Sequence, residues 1–194
     1  VQAGFARQDG DRRFRAGSKL RARGVPAQIP GGGSIRERAR PLLQRIHDAT
    51  GETAHLAVRA DDRVLYLDKL DTAEPLRVER PVGTLSPLHC TALGKTLLAF
   101  SESPLPHKLP AFTNRTPVDE AALAAALERV VESGYALDDE EFAPGIRCVA
   151  APLRDLTGQV IGAIGLSGPT TRIPRTELAR LGRLVAAIAE DFSR

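Results

Sequence analysis

The side chains able to do chemistry gather in three short stretches: Leu88-His89-Cys90-Thr91-Ala92-Leu93-Gly94-Lys95-Thr96, the acidic run Asp138-Asp139-Glu140-Glu141 behind Tyr135-Ala136-Leu137, and Gly145-Ile146-Arg147-Cys148-Val149-Ala150-Ala151-Pro152. Thiolate and imidazole serve as metal ligands or as nucleophile and base. Cys90 or Cys148 with His89 and Asp138 would therefore suit a small hydrolase or ligand-modifying enzyme. Spacing argues against it. Adjacent residues of an extended segment point to opposite faces, so His89 and Cys90 meet at one atom only where the chain turns. No second histidine stands at ligand spacing, and a buried cysteine ordinarily behaves as a small hydrophobe. Neither a catalytic residue nor a metal or other cofactor is expected. Gly94-Lys95-Thr96 shares letters with a phosphate loop, but that loop needs a glycine five positions before Gly94, where this chain has His89. Gly94 is then expected at a close backbone approach, and Lys95 at the surface or in an ion pair.

Binding chemistry remains. A helix that opens at Thr91 presents unpaired N–H groups and the positive end of its dipole, so Thr91, Ala92 and Leu93 suit an anionic group without any arginine. Asp138 directly continues the Tyr135-Ala136-Leu137 strand. A carboxylate at a pocket mouth accepts a hydrogen bond from a ligand hydroxyl or, when protonated, donates one to a carboxylate. The bland reading of the whole acidic run is a solvated turn.

The elements that must hold these residues follow from periodicity. Ser34 with Glu37 forms a capping-box pattern, and Ile35, Ala39, Leu42, Leu43 and Ile46 make one apolar face up to Gly51, with Pro41 expected to kink or displace the first turns. Residues 53–70 alternate as two strands about an Asp61-Asp62 turn, and a further strand is expected over 76–80. Helices are predicted over 91–100 and 120–132, the second ended by Gly134. Strands over 145–153 and 159–167 flank a turn at 155–158, and Leu178, Leu181, Val185 and Ile188 stripe a last helix. Strands grouped around helices without a repeating βαβ alternation mean α+β, an antiparallel sheet flanked by helices.

Near the start, Asp9-Gly10-Asp11 between extended segments predicts a hairpin, and 25–33, with two prolines and three consecutive glycines, predicts a flexible linker. Charge divides at the same place. Residues 1–40 carry ten Lys/Arg and three Asp/Glu for a net +7, whereas 41–194 carry 17 and 21 for −4. A basic arm on an acidic body suits phosphate contact, and a solvated leader is the plain alternative. Two cysteines, no Cys-x-x-Cys pair, no apolar leader and no apolar run of membrane length imply a reducing, cytoplasmic setting with no membrane partner.

In this order, and preceded by Thr50-Gly51-Glu52-Thr53-Ala54, the three stretches resemble the effector-binding domain of the IclR family of bacterial transcription regulators. The likeness runs from about Ser34 to the C-terminus. It implies a GAF-like sheet over 34–194 with an effector pocket at Thr91, Ala92, Leu93, Asp138, Ile146, Cys148, Gly165 and Ser167. The family often carries serine at Gly165, so glycine there implies a larger pocket with one hydroxyl fewer. Residues 1–24 resemble the wing of a winged helix-turn-helix, with Arg12, Arg13 and Arg15 placed against the DNA backbone. The helices that precede such a wing are expected to be missing from this chain, and the Gly-rich 25–33 departs from the family's helical linker. The resemblance further implies a small-molecule effector, with the helix N-terminus favouring a carboxylate, DNA as partner of the full-length regulator, and a homodimer or homotetramer. A pure interaction module is the reading if Asp138, Cys148 and Ser167 fill the interior and leave no cavity.

Overall fold

The computed structural model describes residues 6–8, 14–16, 33–101 and 105–193. A two-stranded antiparallel hairpin, β1 (Ala6–Gln8) and β2 (Phe14–Ala16), pairs Arg7 with Arg15. Its expected turn, Arg12, Arg13 and residues 25–32 of the expected linker lie outside the described residues.

From Ser34 onward the order is α1 (Ile35–Thr50), β3 (Thr53–Ala60), β4 (Arg63–Leu70), β5 (Leu85–Pro87), α2 (Ala92–Ala99), α3 (Glu120–Ser133), β6 (Ala136–Asp139), β7 (Ile146–Arg154), β8 (Val160–Pro169) and α4 (Leu178–Glu190). The six strands form one antiparallel sheet in the order β5-β4-β3-β8-β7-β6. The predicted α+β class holds. Ser34 caps α1 reciprocally: its hydroxyl accepts from the Glu37 N–H at 3.2 Å, and the Glu37 carboxylate accepts from the Ser34 N–H at 2.8 Å. Pro41 lies inside this helix without displacing its start, because the capping box fixes Ile35 as the first helical residue.

Strand alternation sorts the sheet into two faces. Leu56, Val58, Val149, Ala151, Leu153, Ile164 and Leu166 pack with Leu43 and Ile46 of α1 and with Leu181, Val185 and Ile188 of α4. Leu43 and Ile46 are fully buried, each stabilising by about 1.5–3 kcal/mol. The other face presents Ala57, Tyr66, Ala136, Ala150 and Ala163 to Leu93 and Leu97 of α2 and Leu123 and Val130 of α3. A bulge where β3 passes β4, between Leu56 and Ala57, lets Tyr66 face this side while Asp68 faces α1. There Asp68 is buried and meets Arg36 at 3.2 Å and Arg40 at 3.1 Å.

One expected element is absent. Residues 76–80 form no strand; β5 lies later, at Leu85–Pro87. Leu76 and Val78 satisfy the local pattern of a strand, but Pro75 and Pro81 bracket them and remove ladder donors. The segment is tied to β4 by ions instead: the Lys69 ammonium contacts Asp71 and Glu79, each at 2.9 Å. Its Val78 is buried whereas Leu76 is exposed. No helix among the described residues is long and apolar enough to cross a membrane.

Candidate functional site

On the small-residue face of the sheet, between α2, the β6–β7 connection and the segment after β4, lies a cavity of about 450 Å³, its open mouth included. All eight residues of the expected pocket line it: Thr91, Ala92, Leu93, Asp138, Ile146, Cys148, Gly165 and Ser167. A cavity therefore remains between Asp138, Cys148 and Ser167, which counts against a filled interior.

The first residues of α2 form one wall. Thr91 is its N-cap, with the hydroxyl donating to the Pro87 carbonyl at 2.7 Å and accepting from the Gly94 N–H at 3.1 Å. The chain turns at residues 88–91, and Gly94 makes the close approach expected of it. A Cβ there would stand 2.3 Å from the Leu88 oxygen and 2.5 Å from its Cα. This contact presses the start of α2 against Leu88, and Thr91, Ala92 and Leu93 at that helix start line the cavity. Lys95 is not at the surface; it is buried in an ion pair with both carboxylate oxygens of Glu141.

The acidic run is built in rather than solvated. Asp138 is buried, and its Oδ1 accepts from the N–H of Glu141 at 2.7 Å and of Phe142 at 3.3 Å. Burial, then the neighbouring Glu141 carboxylate, push its pKa up to about 7, against the pull of Lys95 and the two N–H groups. Asp139 faces the other way, to Arg147 at 2.6 Å, and the Glu140 carboxylate accepts from the Gly145 N–H at 2.9 Å. Thr113 and Thr116 donate to the Glu140 and Glu141 carbonyls at 2.8 Å and 2.6 Å. The connection is thus held at both ends, with Phe142, Ala143 and Ile146 on the cavity side.

On the floor, His55 Nε2 and Ser167 Oγ are 2.7 Å apart across the β3–β8 pair, and the His55 ring meets Tyr66 edge-on at 5.3 Å. Burial, then the charge of Lys69, lower the His55 pKa to about 4, so the ring is neutral at ordinary pH. Desolvation likewise raises the Tyr66 phenol, which stays protonated. Gly165 corrects an expectation. A Cβ there would meet the Val149 oxygen at 2.2 Å and Ala150 at 2.9 Å, so the glycine serves close β7–β8 approach and its missing side chain opens no extra space.

Sequence reasoning missed His55, Tyr66, Val78, Arg80, Phe142 and Ala143. Arg80 matters most, because a helix N-terminus alone was expected to hold the anion. Its guanidinium lies 4.9 Å from the Phe142 ring centroid, a cation stacked at the rim. Tyr66 and Val78 belonged to elements whose facing was not legible without the bulge and the Lys69 tether.

The thiol chemistry considered for this chain does not assemble. Burial raises the pKa of Cys90, and of Cys148 well above its ordinary value, with Asp138 adding to both shifts, so neither is a thiolate. His89 is engaged elsewhere, its Nε2 lying 3.0 Å from the Pro110 carbonyl. Among the described residues, no group of three or more His, Cys, Asp or Glu could hold a metal ion.

Residues 31–194 match the family model of the bacterial transcriptional regulator IclR C-terminal domain. The HTH-type transcriptional regulator BhcR of Paracoccus denitrificans (strain Pd 1222) is 43% identical over 164 residues, 81% of this chain and 58% of that protein. The HTH-type transcriptional repressor AllR of Escherichia coli (strain K12) is 34% identical over 161 residues, 80% of this chain and 59% of that protein. The crystal structure of Thermotoga maritima IclR superposes with a TM-score of 0.75 at 28% identity, covering 100% of this chain and 80% of that one. This chain thus spans somewhat under two thirds of the length of these two regulators. Fold, cavity and sequence agree: the chain belongs to the IclR family of bacterial transcriptional regulators, and residues 31–194 are its C-terminal domain.

Proposed function

We propose that residues 34–194 are the sensor of a non-enzymatic transcription regulator, taking a small organic carboxylate into the cavity and passing the binding energy to DNA-bound partners of the same molecule. The observation that carries this reading is the cavity's polarity. The α2 N-terminus and the Arg80 guanidinium supply positive potential without a basic cleft, while Thr91, Ser167, Tyr66 and Asp138 offer hydrogen-bonding groups on an otherwise apolar wall. One carboxylate with a short apolar or hydroxylated body satisfies that set. The effector-binding roles of Thr91, Ala92, Leu93, Asp138, Ile146, Cys148, Gly165 and Ser167 rest on this geometry and on family membership.

Residues 1–24 are the wing of the DNA-binding part and 25–33 its linker, with Arg12, Arg13 and Arg15 meeting phosphates in a cytoplasmic homodimer or homotetramer. AllR is named a repressor, whereas BhcR is named only a regulator, so direction of control does not transfer. Control requires two states with different ligand affinity.

Thermal denaturation against a panel of mono-, di- and hydroxycarboxylic and aromatic acids at millimolar concentration tests the sensor. A ligand bound only by the folded state raises the midpoint. At least one acid is expected to do so, and a flat panel with well-folded protein refutes the reading. Exchanging Arg12, Arg13 and Arg15 for alanine is expected to remove salt-dependent DNA binding and leave those shifts intact.

A further inference from the structure

Asp138, Glu141 and Lys95 enclose one side of the cavity, and their charges do not balance. Lys95 spends its ammonium on both oxygens of Glu141. Asp138 is left with two backbone N–H groups on Oδ1 and the neutral Cys148 thiol, none of them a cation. A carboxylate ligand entering from the mouth thus approaches a buried site that already carries one uncompensated negative charge.

The groups facing Asp138 from the surrounding elements offer little relief. From α2 comes Lys95, already paired, and from the turn before it the protonated Cys90. From β7 comes Cys148, a protonated thiol hydrogen-bonded with Asp138. From β4 comes the Tyr66 phenol and from β3 the neutral His55, while Asp139 and Glu141 flank Asp138 on its own strand and loop. Arg80 is the remaining cation, and it sits at the rim over Phe142.

Resting on the carboxylate reading above, we propose that the cavity takes up its carboxylate together with one proton, carried on Asp138, which then donates a hydrogen bond to the ligand and selects for an anionic acceptor at that position. The proton comes from solvent and no bond other than the Asp138 O–H is formed or broken. Protonation removes the like-charge repulsion and turns an acceptor into a donor, and a protonated carboxyl is the one group at this spot able to do both. The ligand-free carboxyl is poised for the change, since its pKa already stands at about 7.

The test measures affinity for acetate, glycolate and benzoate, each a monoanion throughout, by calorimetry from about pH 6 to about pH 8. Repeating the titration near pH 7 in phosphate and in Tris counts the proton. Affinity is expected to fall roughly tenfold across that range, with net uptake of a fraction of a proton near pH 7. Asp138→Asn keeps the Oδ1 acceptor for the two loop N–H groups, and a single cooperative melting transition in the absence of acid would certify the fold. That variant should bind with no pH dependence. A wild-type affinity that is flat with pH, or an equal slope in Asp138→Asn, overturns the inference while leaving the carboxylate reading intact. Absence of binding by all three acids and by the wider panel at every pH removes the carboxylate reading itself, and the proton with it.

Discussion

His55 and Asp138 face the same cavity with pKa values displaced in opposite directions, so acid acts on the fold through them with opposite signs. For His55 the ordinary value of 6.5 falls to about 4 in the fold. Between those values the unfolded chain binds a proton that the folded chain refuses, so stability is lost as pH falls from 6.5 toward 4. For Asp138 the ordinary value of 3.8 rises to about 7. Here the folded chain binds the proton first, so the contribution is complete below 3.8 and is lost as pH rises through 7. Each slope reaches at most about 1.4 kcal/mol per pH unit, and across roughly pH 4–6.5 they nearly cancel. Removing one partner exposes the other. Asp138→Asn should lose stability on acidification from about pH 6.5 to about pH 5.5, and His55→Gln should gain it, the two diverging by about 2 kcal/mol relative to their values at the higher pH. For a chain of this size that separation is about 4–8 °C in midpoint, readable by circular dichroism. Groups titrating elsewhere are common to both variants and drop out of the difference. Parallel pH profiles, or a divergence of the opposite sign, refute the assigned burial of these two groups.

Three further outcomes follow from contacts at and around the cavity. Gly94→Ala should lower stability by about 1–3 kcal/mol despite the better helix propensity of alanine, because the new carbon meets Leu88 backbone, and should also weaken acid-induced shifts; a rise in thermal midpoint contradicts it. Gly165→Ser should lower the midpoint by several degrees, since its Cβ meets the Val149 oxygen; an unchanged midpoint in the scan shows that β7 and β8 separate freely. Arg172→Ala leaves the buried Glu52 carboxylate without its two-pronged partner at 2.6 Å and 2.8 Å and should cost about 2–4 kcal/mol in urea unfolding, with Glu52→Gln added to Arg172→Ala recovering part of the loss.

What the sequence discloses here is local. The Ser34–Glu37 box, the α1 and α4 stripes, the Thr91 cap and the 155–158 turn each depend on neighbours within a few positions, and each is found where its pattern places it. The strand expected over 76–80 fails because Glu79 answers to Lys69, and Val78 and Arg80 to the cavity, rather than to a ladder. His55 shows no signal at all: in Thr53-Ala54-His55-Leu56-Ala57 nothing distinguishes a pocket floor from an ordinary inward position, and only pairing with Ser167, far along the chain, gives it meaning. The eight pocket positions were legible through family likeness, since spacing alone supports no more than the α2 N-terminus and leaves Asp138 between a solvated turn and a pocket mouth.

The cavity itself has a volumetric origin that binary patterning hides. Both faces of the sheet are apolar and buried, yet they differ in size. Toward α1 and α4 the strands offer Leu56, Val58, Leu153, Ile164 and Leu166, which fill the space against Leu43, Ile46 and Val185. Toward α2 and α3 the same strands offer Ala57, Ala136, Ala150 and Ala163. Helices cannot approach a sheet closely enough to consume all the room such residues leave, and α2 is held by Gly94 against Leu88. Interiors otherwise pack without voids, so the small-residue face keeps an open volume where the helix ends and the polar groups begin. One sheet thereby does two things: its large face packs solidly against α1 and α4, and its small face keeps a cavity beside the α2 and α3 core.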